Sequence, residues 1–203
     1  MIKSFICVAI LIFSYSNSLC QKANEIQIYK NLIAEADSIN KTNIEFSVDS
    51  TTVIEAKKLD HQHPLSYFTK ASELINANKF FDAAFIYYLG ILRYRYYNSV
   101  NPDYSASSDG ALASSFQYIL GEPINFFLKS NVDNFILALE FTLDYYMEND
   151  YYFYQKEESE KEYNMGIEFL KNAISELQSN KEEYTNDWTQ QKQMFLDYFE
   201  TEK

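Results

Sequence analysis

The sequence predicts an all-α protein, either a helical bundle or a short array of helical hairpins. Only four glycines and three prolines occur in 203 residues, grouped at a few places. Between them run long stretches whose apolar residues recur every three or four positions, the period of a buried helix face rather than the alternation of a strand. The material for a core is largely aromatic, with 18 Tyr, 16 Phe and one Trp. Each ring, when buried, is worth on the order of 1.5–3 kcal/mol.

The first twenty residues, MIKSFICVAILIFSYSNSLC, read as a cleavable export signal. They carry Lys3, an apolar run from Phe5 to Phe13 and small residues near a cut between Cys20 and Gln21. The run is too short for a permanent transmembrane helix. A lipid anchor on Cys20 fits less well than simple cleavage. Asn17 and Leu19 stand where a lipoprotein signal places a branched apolar and a small residue, respectively. The expectation is a mature single helical domain, residues 21–203, working in a periplasm or outside the cell. Both cysteines, Cys7 and Cys20, fall in the signal, so that domain has no thiol for a disulfide or a metal.

Along that domain, Ile26, Tyr29, Leu32, Ile33 and Ala36 keep helical spacing, and the Asn-, Ser- and Thr-rich segment 40–52 breaks it. Pro64 is expected to open a helix through Ala77, and Lys79 or Phe80 the next, through Asn98. Apolar side chains on every face from Phe80 to Leu92 place that helix at the centre of the fold. The stretch NSVNPDYSASSDG at 98–110 reads as a long loop. Ala111–Leu120 is expected to be helical, GEP at 121–123 to turn the chain into another short helix, and Val132–Met147 to form the next. After the run Tyr151-Tyr152-Phe153-Tyr154, the positions Tyr163, Ile167, Leu170, Ile174 and Leu177 step by four and three. Tyr184, Trp188, Phe195 and Phe199 then mark a last helix after a break near Asn180.

The helix pair at 67–90 places Tyr67, Ala71, Leu74, Asn78, Phe80, Ala83, Tyr87 and Gly90 at telling intervals. In that pattern it resembles a single tetratricopeptide repeat. Small residues let two antiparallel helices approach while aromatics fill the gaps between them. Asn78 stands where the pattern has Gly, but Asn also tolerates a left-handed turn. Arg95 stands where a proline is expected, so the second helix should continue. The resemblance implies a hairpin scaffold of a kind that often binds peptides or proteins, although one repeat does not make a solenoid.

The formal charge is −12, or −13 once Lys3 is removed with the signal, which repels nucleic acid and anionic lipid heads and attracts a basic protein. Arg93 and Arg95 are the only arginines. They are candidates for binding a ligand or partner carboxylate, with Tyr94 and Tyr97 as walls. The favoured reading is that they complement the helix dipole and pair with acids such as Asp103 and Asp109 in the following loop. His61 and His63, the only histidines, sit before Pro64 and are expected to be ordinary polar residues unless a group such as Asp60 orients them. The acid-rich run 157–162 reads as the solvated start of a helix, and Asn40-Lys41-Thr42 is a formal glycosylation sequon.

The chain carries no nucleophile elbow, phosphate loop or metalloprotease helix. No catalytic residue, metal ligand or cofactor is assigned. The expectation is an exported, non-enzymatic interaction module. A narrower form is an immunity or inhibitor protein against a basic exported toxin. The alternative class is a small-ligand protein or enzyme with a pocket near Arg93, Arg95 and the 98–110 loop.

Overall fold

The computed structural model describes residues 25–101, 103 and 108–201, without the side chains of residues 108 and 109. The expected export signal and the Asp109 carboxylate lie outside the described residues. Helix α1 covers residues 25–42, α2 Ser50–Leu59, α3 Leu65–Asn76, α4 Phe80–Val100 and α5 Ser108–Lys129. Helix α6 is Val132–Glu148, α7 Glu160–Ser179 and α8 Lys181–Thr201, with a 3-10 turn at Lys156–Glu158 before α7. The fold is all-helical, as the apolar periodicity predicts, and no strand occurs among the described residues. None of the described helices is long and apolar enough to cross a membrane.

Helix α4 is the axis. It is buried almost all round from Phe80 to Tyr96, and α2, α3, α5, α6 and α7 all pack on it. The α3–α4 hairpin closes as its residue types require. Asn78 takes a left-handed conformation, φ 57°, and the chain reverses there. Gly90 lets the helices touch, since a Cβ on it would lie 2.7 Å from the Tyr67 Cβ. Helix α1 buries Tyr29, Leu32, Ile33 and Ala36. The Tyr29 ring stacks on Phe195 of α8 at 4.2 Å and meets Phe126 of α5 edge-on.

Three elements differ from the sequence expectation. Residues Ser50–Leu59 form α2, which local pattern did not mark. No side chain of its own caps it; instead Asp82 on α4 accepts the Asp49 N–H at 2.9 Å and Lys79 pairs with the Asp49 carboxylate at 2.7 Å. The 98–110 stretch is helical at both ends rather than loop throughout, because α4 runs to Val100 and α5 begins at Ser108. The GEP segment does not turn the chain: α5 is continuous through Pro123. Pro123 has no N–H to offer the Ile119 carbonyl, and Ile119 lies on the exposed side of the helix. Gly121 serves packing, since a Cβ there would lie 2.4 Å from the Tyr87 hydroxyl, which donates to the Gln117 carbonyl.

An asparagine seam ties the extended segment after α1 to the start of α6. The buried Asn134 side chain donates to the Ile44 carbonyl and accepts the Phe46 N–H, so it pairs with backbone as a strand neighbour would. The sequon residue Asn40 donates its amide to the Ser130 carbonyl at 2.9 Å and accepts from Asn131 at 3.1 Å. Its side chain therefore serves as a latch between α1 and the α5–α6 turn.

The Gly90 contact yields a direct test. Gly90→Ala gains up to about 1 kcal/mol of helix propensity yet must push α3 off α4. The expected result in urea unfolding is a net loss on the order of 1–3 kcal/mol, as for other overpacked cores. A neutral or stabilising outcome would show that the interhelical spacing is not limited at this point.

Candidate functional site

Helix α2 ends on Asp60, and that residue is the carboxylate Arg93 uses. The guanidinium Nε and Nη2 donate to Asp60 Oδ1 at 2.9 and 2.8 Å, with the two side chains 0% and 1% exposed. Arg93 lies within the most extensively buried helix, and Asp60 sits at a helix C-terminus, where the dipole disfavours an anion. Each charge is tolerable there because of the other.

All three guanidinium nitrogens and both carboxylate oxygens are engaged. The Tyr67 and Tyr145 hydroxyls donate to Asp60 Oδ1 and Oδ2 at 2.6 and 2.8 Å. Arg93 Nη1 donates to the Tyr163 hydroxyl at 3.0 Å and Nη2 to the Asn149 carbonyl at 2.7 Å. Tyr163 in turn donates to the Tyr146 carbonyl. The rings of Tyr146 and Tyr151 lie 4.8 and 5.2 Å from the guanidinium carbon. Phenylalanine at positions 67, 145 or 163 would leave a buried charge short of a partner.

Burial pushes the Asp60 carboxyl up, while Arg93 and the two phenols pull it back. All the groups facing it donate, so the ionised carboxylate is the form this cage accepts. For Arg93, burial opposes the charge, but Asp60 and the surrounding tyrosines outweigh it and hold the guanidinium above its ordinary range.

The same pair fixes the connector between α6 and α7. Arg93 holds its first carbonyl, at Asn149, and the Asp60 carbonyl accepts the Phe153 N–H at 2.9 Å. Tyr151 donates to the Gln62 carbonyl, and Tyr96 to the Gln155 carbonyl. Asp150 Oδ1 closes the turn from within by accepting the Tyr151 and Lys156 N–H groups. On this backbone Tyr151 points into the core, whereas Tyr152 and Phe153 stand 55% and 43% exposed. His61 stacks on Tyr152 at 4.6 Å and 7° between planes. His63 accepts the Leu65 N–H at the start of α3 and meets Tyr94, Tyr97 and Phe153 edge-on. The result is an aromatic and imidazole patch over the ion pair.

Among the residues singled out from sequence, Tyr94 and Tyr97 join this patch, Tyr94 buried and Tyr97 half-buried. Arg93 lies beneath it, and its acid is Asp60 rather than the expected Asp103. The physical reason is depth, because Arg93 is enclosed while the described Asp103 is exposed. Arg95 turns to the other side, exposed, with its guanidinium 3.8 Å from the Phe169 ring centre on α7. The candidates thus divide among a core, a patch and a remote seam. No group of three or more His, Cys, Asp or Glu among the described residues is placed to hold a metal.

Among the described residues, the concavities large enough for a ligand include two. One, of ≈ 520 Å³, opens between the end of α6 and the start of α7 and has Tyr163 in its lining. The other, of ≈ 570 Å³, lies at the α7–α8 turn and is lined by polar residues including Glu182, Glu183 and Asp187. Compared with known proteins, the chain matches no family model, no curated sequence and no solved structure.

Two measurements follow from the ion pair and its phenols. Arg93→Met alone strands the Asp60 charge and should cost about 3–5 kcal/mol, whereas adding Asp60→Leu should recover much of the loss. A urea double-mutant cycle reads this coupling, and additive losses would deny that the charges act as a pair. Burial also pushes the Tyr87 and Tyr96 phenols up to about 12 and holds Tyr67, Tyr88 and Tyr151 high. A phenol held above its unfolded pKa of about 10 binds its proton more tightly in the fold. Its stabilisation is complete below that pH and is lost as pH rises through the folded value. The phenolate absorbance of these buried tyrosines should therefore appear in one step with loss of helical circular dichroism; ionisation of every tyrosine in a still-helical protein would contradict the burial described.

Proposed function

We propose that this chain is an exported, non-catalytic helical protein that binds a basic polypeptide through the aromatic patch on the α6–α7 connector. The observation that carries the reading is the exposure of Tyr152 and Phe153 on a backbone tied down at Asn149, Tyr151, Phe153 and Gln155. Neighbouring rings on a pre-organised backbone lose little freedom on association, and residues of this type dominate interface energies. The charge of the chain selects the partner. At −12 it draws a basic protein from a distance, and exposed ring faces then receive lysine or arginine side chains.

The hairpin at 67–90, in its resemblance to a tetratricopeptide repeat, supports the same reading, since such scaffolds commonly present peptide- or protein-binding surfaces. Inhibition of one basic exported toxin is the narrow form of the proposal. A pocket built on Arg93 is not favoured, because that side chain spends its donors on Asp60, Tyr163 and Asn149.

The test is affinity capture from the source organism's envelope and secreted proteins, with the wild type and Tyr152→Ala/Phe153→Ser side by side at low and moderate salt. A basic partner captured in stoichiometric amount, lost as salt rises and weakened at least about tenfold by the double substitution, supports the proposal; residues at interface centres contribute about 2 kcal/mol or more each. Capture that the substitutions leave unchanged would place the interface elsewhere, and no partner under either condition would reject the binding role.

A further inference from the structure

The ≈ 520 Å³ groove between α6 and α7 combines features that point to one class of ligand. Its apolar part is Met147, Ile167 and the ring of Tyr163, whose hydroxyl is already committed to Arg93 and the Tyr146 carbonyl. Lys156, Glu157 and Glu160 line the same groove and are exposed. Charges of both signs thus share one groove, yet none of the three has an ion-pair partner within 4.0 Å among the described residues. They stand too far apart to satisfy each other, with an apolar surface alongside.

A ligand that complements this arrangement carries an anion and a cation joined by an aliphatic stem. We propose that the groove binds the C-terminal basic residue of a peptide. Lys156 receives the terminal carboxylate, Met147, Tyr163 and Ile167 cover the stem, and Glu157 with Glu160 surround the terminal cation. Snorkelling lysine and arginine chains bury their methylenes in this way while the head stays at a polar rim. Small-ligand sites likewise join an apolar lining to a few convergent polar groups. The proposal uses none of the exposed rings of the connector, so it stands or falls separately from the protein-binding role.

The experiment is an NMR titration of the full chain, following the Asn164 side-chain amide, which also lines the groove, and the Met147 methyl. The probes are Nα-acetyl-lysine, an acetylated tetrapeptide ending in lysine, and the same tetrapeptide amidated at its C-terminus. The expected result is saturable shifts at both reporters and about fivefold weaker binding of the amide at low salt, the scale of one exposed charge contact. Lys156→Gln should abolish the difference between acid and amide. Glu157→Gln/Glu160→Gln should weaken both, and all three exposed substitutions should leave the circular dichroism spectrum unchanged. Equal affinity for acetyl-lysine and tetrapeptide would identify a single-residue or free amino-acid ligand within the proposal, and tighter binding of the tetrapeptide a protein C-terminus. No saturable shift at millimolar ligand, or equal affinity for acid and amide in the wild type, would overturn it.

Discussion

The Arg93–Asp60 ion pair constrains everything around it. Two unit charges removed from water carry a desolvation cost that their attraction offsets only when every remaining donor and acceptor is satisfied. Here the pair is satisfied by groups from α3, α6, α7 and the connector, namely Tyr67, Tyr145, Tyr163 and the Asn149 carbonyl. Moving any of those elements by a helical residue would leave a buried charge unsolvated. The pair thus fixes register among helices that apolar packing alone would let slide, because side chains of similar volume can exchange places in a core but hydrogen-bond partners cannot.

That constraint accounts for the choice of tyrosine over phenylalanine at the centre. No cysteine occurs after residue 20, so no disulfide joins the described helices. Phenol hydroxyls take over the tying function, with Tyr96 and Tyr151 each holding a backbone carbonyl and Tyr88 holding the Asn125 side chain. The connector profits most. It contains little regular structure, yet bonds from the core hold its backbone at several points, so Tyr152 and Phe153 are presented rather than free to collapse. Order at the surface here derives from charge in the interior.

Much of the fold was legible because its signals are local. The periods of α1, α3 and α7 follow from apolar spacing, the left-handed Asn78 from its place in the hairpin, and the tight approach at Gly90 from the lack of a Cβ. What escaped depends on partners distant in sequence. Helix α2 is stabilised by Asp82 and Lys79 on α4, and α5 tolerates Pro123 because the affected turn faces solvent. Arg93 stood out as an arginine in an apolar helix, but Asp60 lies 33 positions away and drew notice only as a neighbour of His61 and His63. A rule that a buried arginine demands a buried acid would have asked for such a partner without naming it. The exposed rings were hidden for another reason: Tyr151-Tyr152-Phe153-Tyr154 is aromatic throughout, so no period distinguishes the buried ring from the presented ones.

Native-state hydrogen exchange at the Phe153 amide probes the link between interior charge and surface order most directly, since that N–H is bonded to the Asp60 carbonyl. If the ion pair anchors the connector, this amide should exchange only with global unfolding, with protection equal to that of the α4 amides around Leu92. Rapid exchange at Phe153 while α4 stays protected would show that the connector opens on its own, and the patch would then not be held by the core.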